Sequence, residues 1–432
     1  MEDRKGQEMG VASLHFCVCL LVLLIGCSNV RNRPALETAF YVWQQQWSSA
    51  VGKAAKQANG HADNFMIFAA ETRYASGRTQ QQVMRPDWKI LAEAGKPVML
   101  VVRMGVSFAR PLRNDKTRKP VLDDLTGLFQ KLLSVTEEEK VTVAGIQIDY
   151  DCPTVRLDGY ASMLRELRAR LPDVPVSITA LPTWLTSGDF PKLAKDLDYF
   201  VLQVHSIEKP KSIDQPNILC DTKKIPAYLR KLRSIRTPFY IALPTYGYHV
   251  IFNAEKEFVG FMAERELFLD PTRGYRARTV MADPVEIASV VRELKDKRPR
   301  NCLGIAWFRL PVETDQLNWT WSALRAVMAG REPEVAYTAE VRHPNSDPDL
   351  IEIWLENIGE HNTPAQICFS IDWRGRGVLA LDVLNGFEVT EGRKGLVGPA
   401  PRIGEPVLAG WFRLVPRKTE ISPRVGKVEV LL

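Results

Sequence analysis

The regular alternation of two kinds of segment most constrains how this chain folds. From Thr38 to about Ala329, short apolar runs rich in β-forming residues alternate with helical patterns. This order is typical of βαβ units, in which a helix joins two parallel strands of one sheet. We count eight runs, which is the strand number of a (β/α)8 barrel. They cover residues 40–43, 65–69, 97–103, 143–151, 176–180, 199–205, 239–243 and 303–309. We therefore predict an α/β fold in which residues 38–330 form a (β/α)8 TIM barrel.

The segments between these runs have helical periodicity. In residues 160–171, leucines recur at intervals of three and four residues. Two later segments begin with Pro226 and Pro284, which suit a first helical turn, and Asp283 is placed to cap the second helix. The connection between the seventh and eighth strands is long, and it predicts an excursion over one face of the barrel around residues 258–275.

After Gly330 the pattern changes to a linker followed by alternating strands and turn residues. It predicts a small C-terminal β-sandwich over residues 335–432, which we interpret as an immunoglobulin-like accessory domain. The turn at residues 357–360 resembles one found in such domains. The chain length of 432 residues suits a barrel of about 250 residues with a smaller second domain.

The N-terminus has the pattern of an export signal. Residues 11–25 form an apolar run as long as a signal-peptide core and too short for a comfortable membrane-spanning helix. The sequence Leu-Ile-Gly-Cys that ends at Cys27 resembles a lipobox. We predict a lipoprotein signal peptide over residues 1–27 and lipidation of Cys27. A signal anchor, or an ordinary cleaved signal with an incidental cysteine, is the alternative. The expected location is the bacterial cell envelope, at the outer membrane or its periplasmic face.

Composition narrows the possible partners. The net charge of +6 is spread along the chain without a basic stripe interleaved with aromatic residues, so we expect no nucleic-acid partner. The cysteines and the six histidines lack metal-ligand spacing, so we expect no metal and no cofactor. Four cysteines follow Cys27. Among these, Cys152 and Cys220 are candidates for a disulfide, and whether they pair is left open.

The fourth run carries the main catalytic candidates. Gln147, Asp149 and Asp151 are two residues apart, so their side chains share one face of the strand and point into the predicted lumen. Active sites of such barrels lie at the C-terminal ends of the strands. Two carboxylates about 6.6 Å apart repel each other, so one should keep its proton to higher pH and act as a general acid. Alternatively, Asp151 caps a turn and Asp149 binds a neighbouring arginine.

This strand resembles that of the family 18 glycoside hydrolases. In that family, alternating acids end in a glutamate that is the general acid of a substrate-assisted mechanism. Gln147, Asp149 and Asp151 fall on the last three positions of the pattern. Here glutamine replaces the first aspartate, and Asp151 is one methylene shorter than the glutamate of the family.

Other strand endings extend the resemblance over roughly residues 38–328. The sequence Leu-Pro-Thr-Tyr-Gly-Tyr, which contains Tyr246, is similar to the seventh-strand ending of the family. Gly-Ile-Ala-Trp, ending at Trp307, is similar to the eighth, whose tryptophan forms the floor beneath the sugar. The alternative is that Trp307 is a core residue. Tyr41 and Trp43 on the first strand are interpreted as packing residues.

Polar residues end several other strands. On the sixth strand, Gln203 and His205 lie where the family holds the substrate acetamido group, with His205 in place of a tyrosine. Glu71, Arg103 and Arg309 end the second, third and eighth strands. Each is either a substrate-binding residue or part of an ordinary charge pair. The resemblance also fits a bacterial lipoprotein family of unknown function with a glycosidase-like barrel.

Together these features predict an envelope-anchored glycoside hydrolase that acts on a polysaccharide or amino-sugar glycan. Asp151 would protonate the glycosidic oxygen, and Asp149 would orient or tune it. A retaining route without substrate assistance needs a second carboxylate, for which Glu71 is the candidate. Two alternatives stay open because one barrel fold hosts many functions. The chain is then a carbohydrate-binding lipoprotein without turnover, or a structural protein of the envelope.

Overall fold

The computed structural model describes residues 34–263, 273–362, 365–416 and 422–431, and eight parallel strands close a barrel within them. The order around the barrel is β1, β2, β4, β5, β6, β7, β8, β12 and back to β1. All eight predicted strands are confirmed. The strands up to the end of the barrel are β1 (Glu37–Val42), β2 (Asn64–Ala75), β3 (Arg78–Val83), β4 (Val98–Met104), β5 (Val143–Tyr150), β6 (Val176–Ala180), β7 (Tyr199–Gln203), β8 (Phe239–Pro244), β9 (Gly247–Phe252), β10 (Phe258–Met262), β11 (Arg276–Met281) and β12 (Cys302–Phe308).

Helices connect these strands, and their apolar sides are buried. In α4, residues Tyr160, Leu164 and Leu167 are buried at three- and four-residue spacing. Asp283 caps α7 as predicted, because its carboxylate accepts from the backbone N–H groups of Val285 (2.8 Å) and Glu286 (3.3 Å). The helices are α1 (Ser49–Asn59), α2 (Trp88–Ala94), α3 (Asp115–Glu138), α4 (Leu157–Arg170), α5 (Phe190–Ala194), α6 (Ile225–Leu232), α7 (Pro284–Lys297) and α8 (Trp321–Ala329).

The barrel interior is filled by side chains. Inward-facing residues of several strands form one buried cluster, which we call the lumen core, and Phe308 packs against it. Alternation along each strand sends the other side chains outward, towards the helices. The members of the lumen core are Ala39, Tyr41, Trp43, Met66, Phe68, Met84, Met99, Val101, Val201, Tyr240, Ala242 and Ala306.

The long connection between β8 and β12 contains the predicted excursion. Strands β9, β10 and β11 form a three-stranded antiparallel sheet before α7 begins. The guanidinium of Arg278 in β11 donates to the carbonyl oxygen of Ile213 (2.6 Å) and to the side chain of Asn217. These contacts attach the sheet to the 206–221 segment, which follows β7.

The C-terminal region consists of two antiparallel sheets that share one core. One sheet has the order β13-β14-β19-β16, and the other has the order β17-β18-β15-β20 with β21 paired to β15. Ile353 and Phe412 of the first sheet belong to the same buried cluster as Ile367 and Phe369 of the second. The predicted β region after the barrel is therefore confirmed, while its boundaries and its immunoglobulin-like class remain predictions. The strands are β13 (Tyr337–Arg342), β14 (Leu350–Asn357), β15 (Gln366–Asp372), β16 (Val378–Val383), β17 (Glu388–Val389), β18 (Gly395–Pro399), β19 (Val407–Leu414), β20 (Arg424–Val425) and β21 (Glu429–Leu431).

The predicted signal peptide, residues 1–27 with Cys27, lies outside the described residues. Within the described ranges, no helix is both long enough and apolar enough to cross a membrane.

Candidate active site

A cavity of about 770 Å³ opens at the C-terminal end of the barrel. Its wall combines carboxylates, cations, amides and aromatic rings, which is the composition expected of a site for a polar ligand. Of the ten residues predicted for the site, seven line this cavity: Arg103, Asp149, Asp151, Gln203, His205, Tyr246 and Arg309. Tyr41, Trp43, Thr179, Phe308 and much of the 206–221 segment also line it.

The end of β5 brings the two carboxylates into the cavity. Asp149 is half-buried, and Asp151 is exposed. Among the residues that the structure describes, neither carboxylate forms an ion pair, although Arg103 is the register partner of Asp149 on β4. The hydroxyl of Thr179 is a hydrogen-bond partner of Asp149. The two carboxylates thus lie in an open cavity, and neither the turn cap nor the arginine pair considered above is formed.

Gln147, the third polar residue on the inward face of β5, lies below the cavity. It is fully buried, and the hydroxyl of Tyr41 lies 2.8 Å from its Nε2 and 3.0 Å from its Oε1. Both polar groups are therefore satisfied inside the barrel. Gln147 does not line the cavity, so it supports the position of Tyr41.

Burial raises the pKa of Asp149 to about 6. The guanidinium of Arg103 opposes this shift, the negative charge of Asp151 adds to it, and the Thr179 hydroxyl slightly lowers it. Of the two carboxyl groups, Asp149 is thus the one shown to keep its proton to near-neutral pH. The sequence predicts Asp151 as the general acid, whereas the raised pKa belongs to the neighbouring Asp149.

The raised pKa of Asp149 predicts a pH-dependent stability. Its contribution is fully present below the pKa of the unfolded chain, near 4, and is lost as pH rises through about 6. The unfolding free energy of Asp149→Asn minus that of wild type should therefore increase by on the order of 3 kcal/mol between pH 4 and pH 7. Urea unfolding at both pH values measures this difference. Asp158→Asn, at an exposed carboxyl, is the control, and a difference that does not change with pH would contradict the prediction.

Aromatic rings form one wall of the cavity. The ring of Phe308 stacks on His205 with centroids 5.0 Å apart and meets Tyr246 edge-on at 5.5 Å. It also contacts Tyr41 at 5.4 Å and Trp43 at 5.1 Å. An apolar ring surface of this kind packs against the C–H groups of a pyranose while hydroxyl groups reach polar neighbours.

His205 is buried in this wall, and its Nδ1 lies 3.4 Å from the hydroxyl of Tyr246. Burial lowers the pKa of the imidazole to about 3, so the ring is neutral at physiological pH. We expect the ¹⁵N resonances of His205, assigned by comparison with His205→Gln, to show no titration between pH 5 and pH 8. A transition in that range would show that the imidazole is solvated.

Polar contacts hold the remaining wall residues. Arg309 is buried and donates to Asp315 through Nε (3.0 Å) and a terminal nitrogen (2.8 Å), and to the carbonyl oxygen of Ala263 (2.6 Å). Its guanidinium also lies 5.6 Å from the ring centre of Tyr246. Gln203 donates to the carbonyl oxygen of His205 (3.1 Å). These hydrogen bonds hold Gln203 and Arg309 in place in the cavity wall. Arg309 is thus part of a charge pair and also lines the cavity.

The placement of Trp307 differs from the prediction. Trp307 is 1% exposed, lies outside the lumen core and does not line the cavity, whereas Phe308 does. The reason is strand alternation, because Ala306 belongs to the lumen core and Phe308 is two residues further on the same face. Trp307 is thus a core residue, and the aromatic floor belongs to its neighbour.

Glu71 also lies outside the cavity lining. It is half-buried near the end of β2, in register with Arg103, without an ion pair among the described residues. Glu71 therefore does not supply the second cavity carboxylate that a retaining route would need.

Tyr41 and Trp43 pack in the lumen core, as predicted, and they also line the cavity.

In the described part of the chain, no group of three or more His, Cys, Asp or Glu side chains is arranged to hold a metal ion. The four cysteines in the described residues are free thiols. Cys152, Cys220 and Cys302 are buried, and Cys368 is partly buried. Burial raises the pKa of the Cys152 thiol to about 12, so it is not a nucleophile at neutral pH.

Comparison with known families places this cavity in a recognised domain. The model of a domain of unknown function, DUF3142, matches residues 94–313, which is more than half of the chain. The chain belongs to this family. The DUF3142 match begins at the last residue of α2 and ends beyond β12. It therefore contains all seven predicted residues that line the cavity, while Tyr41 and Trp43 precede it.

Several solved structures are similar to this chain at low sequence identity. The spore cortex-lytic enzyme SleL of Bacillus megaterium is 12% identical, with 69% of this chain and 74% of that chain covered and a TM-score of 0.49. The chitinase of Chromobacterium violaceum is 11% identical, with coverages of 68% and 98% and a TM-score of 0.48. The GH18 chitinase ChiB of Flavobacterium johnsoniae is 11% identical, with coverages of 68% and 93% and a TM-score of 0.46. At such identities and scores the similarity does not extend an activity to the DUF3142 chain. No curated protein matches it in sequence.

Proposed function

We propose that this DUF3142 protein is a glycoside hydrolase of the bacterial cell envelope. The observation that carries the proposal is the pair Asp149 and Asp151 in an open cavity with an aromatic wall. The pKa of about 6 at Asp149 leaves this carboxyl group largely neutral in mildly acidic solution. Most glycoside hydrolases use a pair of carboxyl groups, and an aromatic ring surface packs well against the C–H groups of a sugar.

The proposed reaction uses Asp151 as the general acid. Asp151, exposed at the rim, donates its proton to the glycosidic oxygen as the bond from that oxygen to the anomeric carbon breaks. Water then supplies a hydroxyl group to the anomeric carbon and returns a proton to the carboxylate. Asp149 lies one layer deeper and keeps a proton up to about pH 6, which limits the negative charge beside Asp151.

The aromatic wall would bind the sugar on the other side. Phe308 and Tyr246 offer ring surfaces, and Gln203 and His205 offer polar groups between them. The resemblance to family 18 implies a substrate-assisted route in which the acetamido group of an amino sugar takes part. We extend the proposal to a polysaccharide or amino-sugar glycan as substrate and to a lipid anchor on Cys27 that keeps the protein in the envelope.

Product release from a panel of glycans tests this function. The chain beginning after Cys27 is incubated with chitin fragments, peptidoglycan fragments and neutral and acidic polysaccharides, and new reducing ends are measured. The expected result is cleavage of at least one class, with a maximum rate at mildly acidic pH. Absence of cleavage across the panel, with no glycan affinity, would contradict the proposal.

A second candidate is a carbohydrate-binding lipoprotein without turnover. Asp151 has a shorter side chain than the glutamate that the resemblance implies. This favours the second candidate, because the carboxyl proton lies farther from the glycosidic bond. It predicts glycan affinity without products. The panel separates the two when affinity is measured beside cleavage.

A further inference from the structure

An exposed arginine lies inside the cavity. Arg103, at the C-terminal end of β4, is exposed and lines the cavity. Within the ranges that the structure describes, its guanidinium forms no ion pair and no hydrogen bond, although Glu71 and Asp149 flank it in register. Arg103 acts on Asp149 through its charge alone, so its N–H donors are not used by the described residues.

Two other cations that line the cavity are bound to acids, unlike Arg103. Arg309 is bonded to Asp315, with 2.8 Å between the charged atoms. Lys224 is paired with Asp221 at 3.0 Å. Arg103 is therefore a positive charge that a ligand is free to use, with five N–H donors in a planar fork.

The chemistry of this fork selects its ligand. A guanidinium binds a carboxylate through two parallel hydrogen bonds, which gives both orientation and charge neutralisation. One of the two acids in register with Arg103 is Asp149, whose raised pKa leaves it largely protonated in mildly acidic solution. The other, Glu71, does not line the cavity. Under those conditions Asp149 neither neutralises Arg103 nor repels an incoming anion strongly.

We propose that Arg103 binds a carboxylate of the substrate, so that the glycan carries an acidic sugar, such as a uronic acid, in this cavity. The inference rests on the proposed function and adds the substrate class. Recognition occurs at the end of β4, beside the strand that carries Asp149 and Asp151. The acidic sugar therefore lies next to the bond that is cleaved.

Matched polysaccharides test this proposal. The full chain with Asp151→Asn, which is expected to bind without cleaving, is titrated with polygalacturonate and alginate and with the carboxyl-reduced form of each. Because a hydrogen bond to a charged group contributes about 1.5–3 kcal/mol, the acidic forms should bind about 10- to 100-fold more tightly. Arg103→Gln should abolish that preference, and Arg103→Lys should keep part of it.

Arg73→Gln is the matched control, because Arg73 is an exposed arginine on β2 that does not line the cavity. It should leave the preference unchanged, and circular dichroism should show that all variants are folded. Equal affinity for the acidic and reduced forms, or a preference that survives Arg103→Gln, would overturn the inference while leaving glycan hydrolysis intact. Absence of affinity for every glycan would overturn both the inference and the proposed function.

Discussion

Asp151→Asn is expected to remove glycan cleavage while leaving glycan binding and the fold intact. Asparagine has the shape of aspartate but holds no proton that it can transfer to a leaving group. A positioned general acid contributes about 10²- to 10⁴-fold to the rate, so kcat should fall by that factor. The Asp151 side chain is exposed and makes no hydrogen bond within the described residues, so its replacement leaves no buried group unsatisfied.

The measurement is kcat and KM on the best substrate of the panel, together with a thermal unfolding curve. A fall in kcat at unchanged KM is expected, because the proton transfer occurs in the transition state. Asp158→Asn is the matched control, since Asp158 is an exposed aspartate in the first turn of α4 and lies outside the large cavity. Full activity in Asp151→Asn would assign the acid role to another group, and Asp149→Asn would then be the next variant to measure.

Gly304→Ala is expected to destabilise the barrel by about 3 kcal/mol or more. Gly304 lies on β12 opposite Glu37 of β1, where the last strand of the barrel pairs with the first. A Cβ added at this position would lie 2.0 Å from the carbonyl oxygen of Glu37 and 2.6 Å from its carbonyl carbon. These atoms belong to the backbone, so relief requires the two strands to separate, at a cost at or above the upper end of ordinary overpacking.

Thermal and urea unfolding of the two proteins measure this effect. Gly60→Ala is the control, because Gly60 follows α1 with a φ of −67° and a Cβ there meets no atom within 4 Å. We expect a large loss in stability for Gly304→Ala and little change for Gly60→Ala. Equal midpoints for the two variants would show that β1 and β12 separate without cost.

The barrel is predictable from the sequence because each strand is buried on both faces. That burial produces eight apolar runs separated by helical patterns, and eight is the strand number of the barrel. The acidic ladder is predictable for the same reason, since Gln147 and Asp149 alternate with apolar residues and so identify the inward face. At this strand, the polarity pattern of the sequence and the geometry of the barrel therefore identify the same inward face.

The eighth strand carries no such signal. Trp307 and Phe308 are adjacent aromatic residues, and the residues before them are apolar on both faces. Polarity therefore does not identify the face that points inward, and the register with β1 and β8 decides it. The resemblance to family 18 selects Trp307, whereas the structure selects Phe308.

The rim of the cavity was not predictable for a different reason. The 206–221 segment has no periodicity, and its position depends on Arg278, which lies 61 residues from Asn217 along the chain. The pKa of Asp149 likewise depends on its burial, which raises it, and on the guanidinium of Arg103 from another strand, which lowers it. Such properties arise only when distant segments meet.

The pairing of β1 with both β2 and β12 also has a consequence for the order of folding. Strand β1 is complete at Val42, but its second neighbour begins only at Cys302. Contacts so distant in sequence form slowly, because the entropy of closing the loop must be overcome before the pairing is stabilised. During synthesis the first half of the barrel therefore remains an open sheet with a free edge along β1.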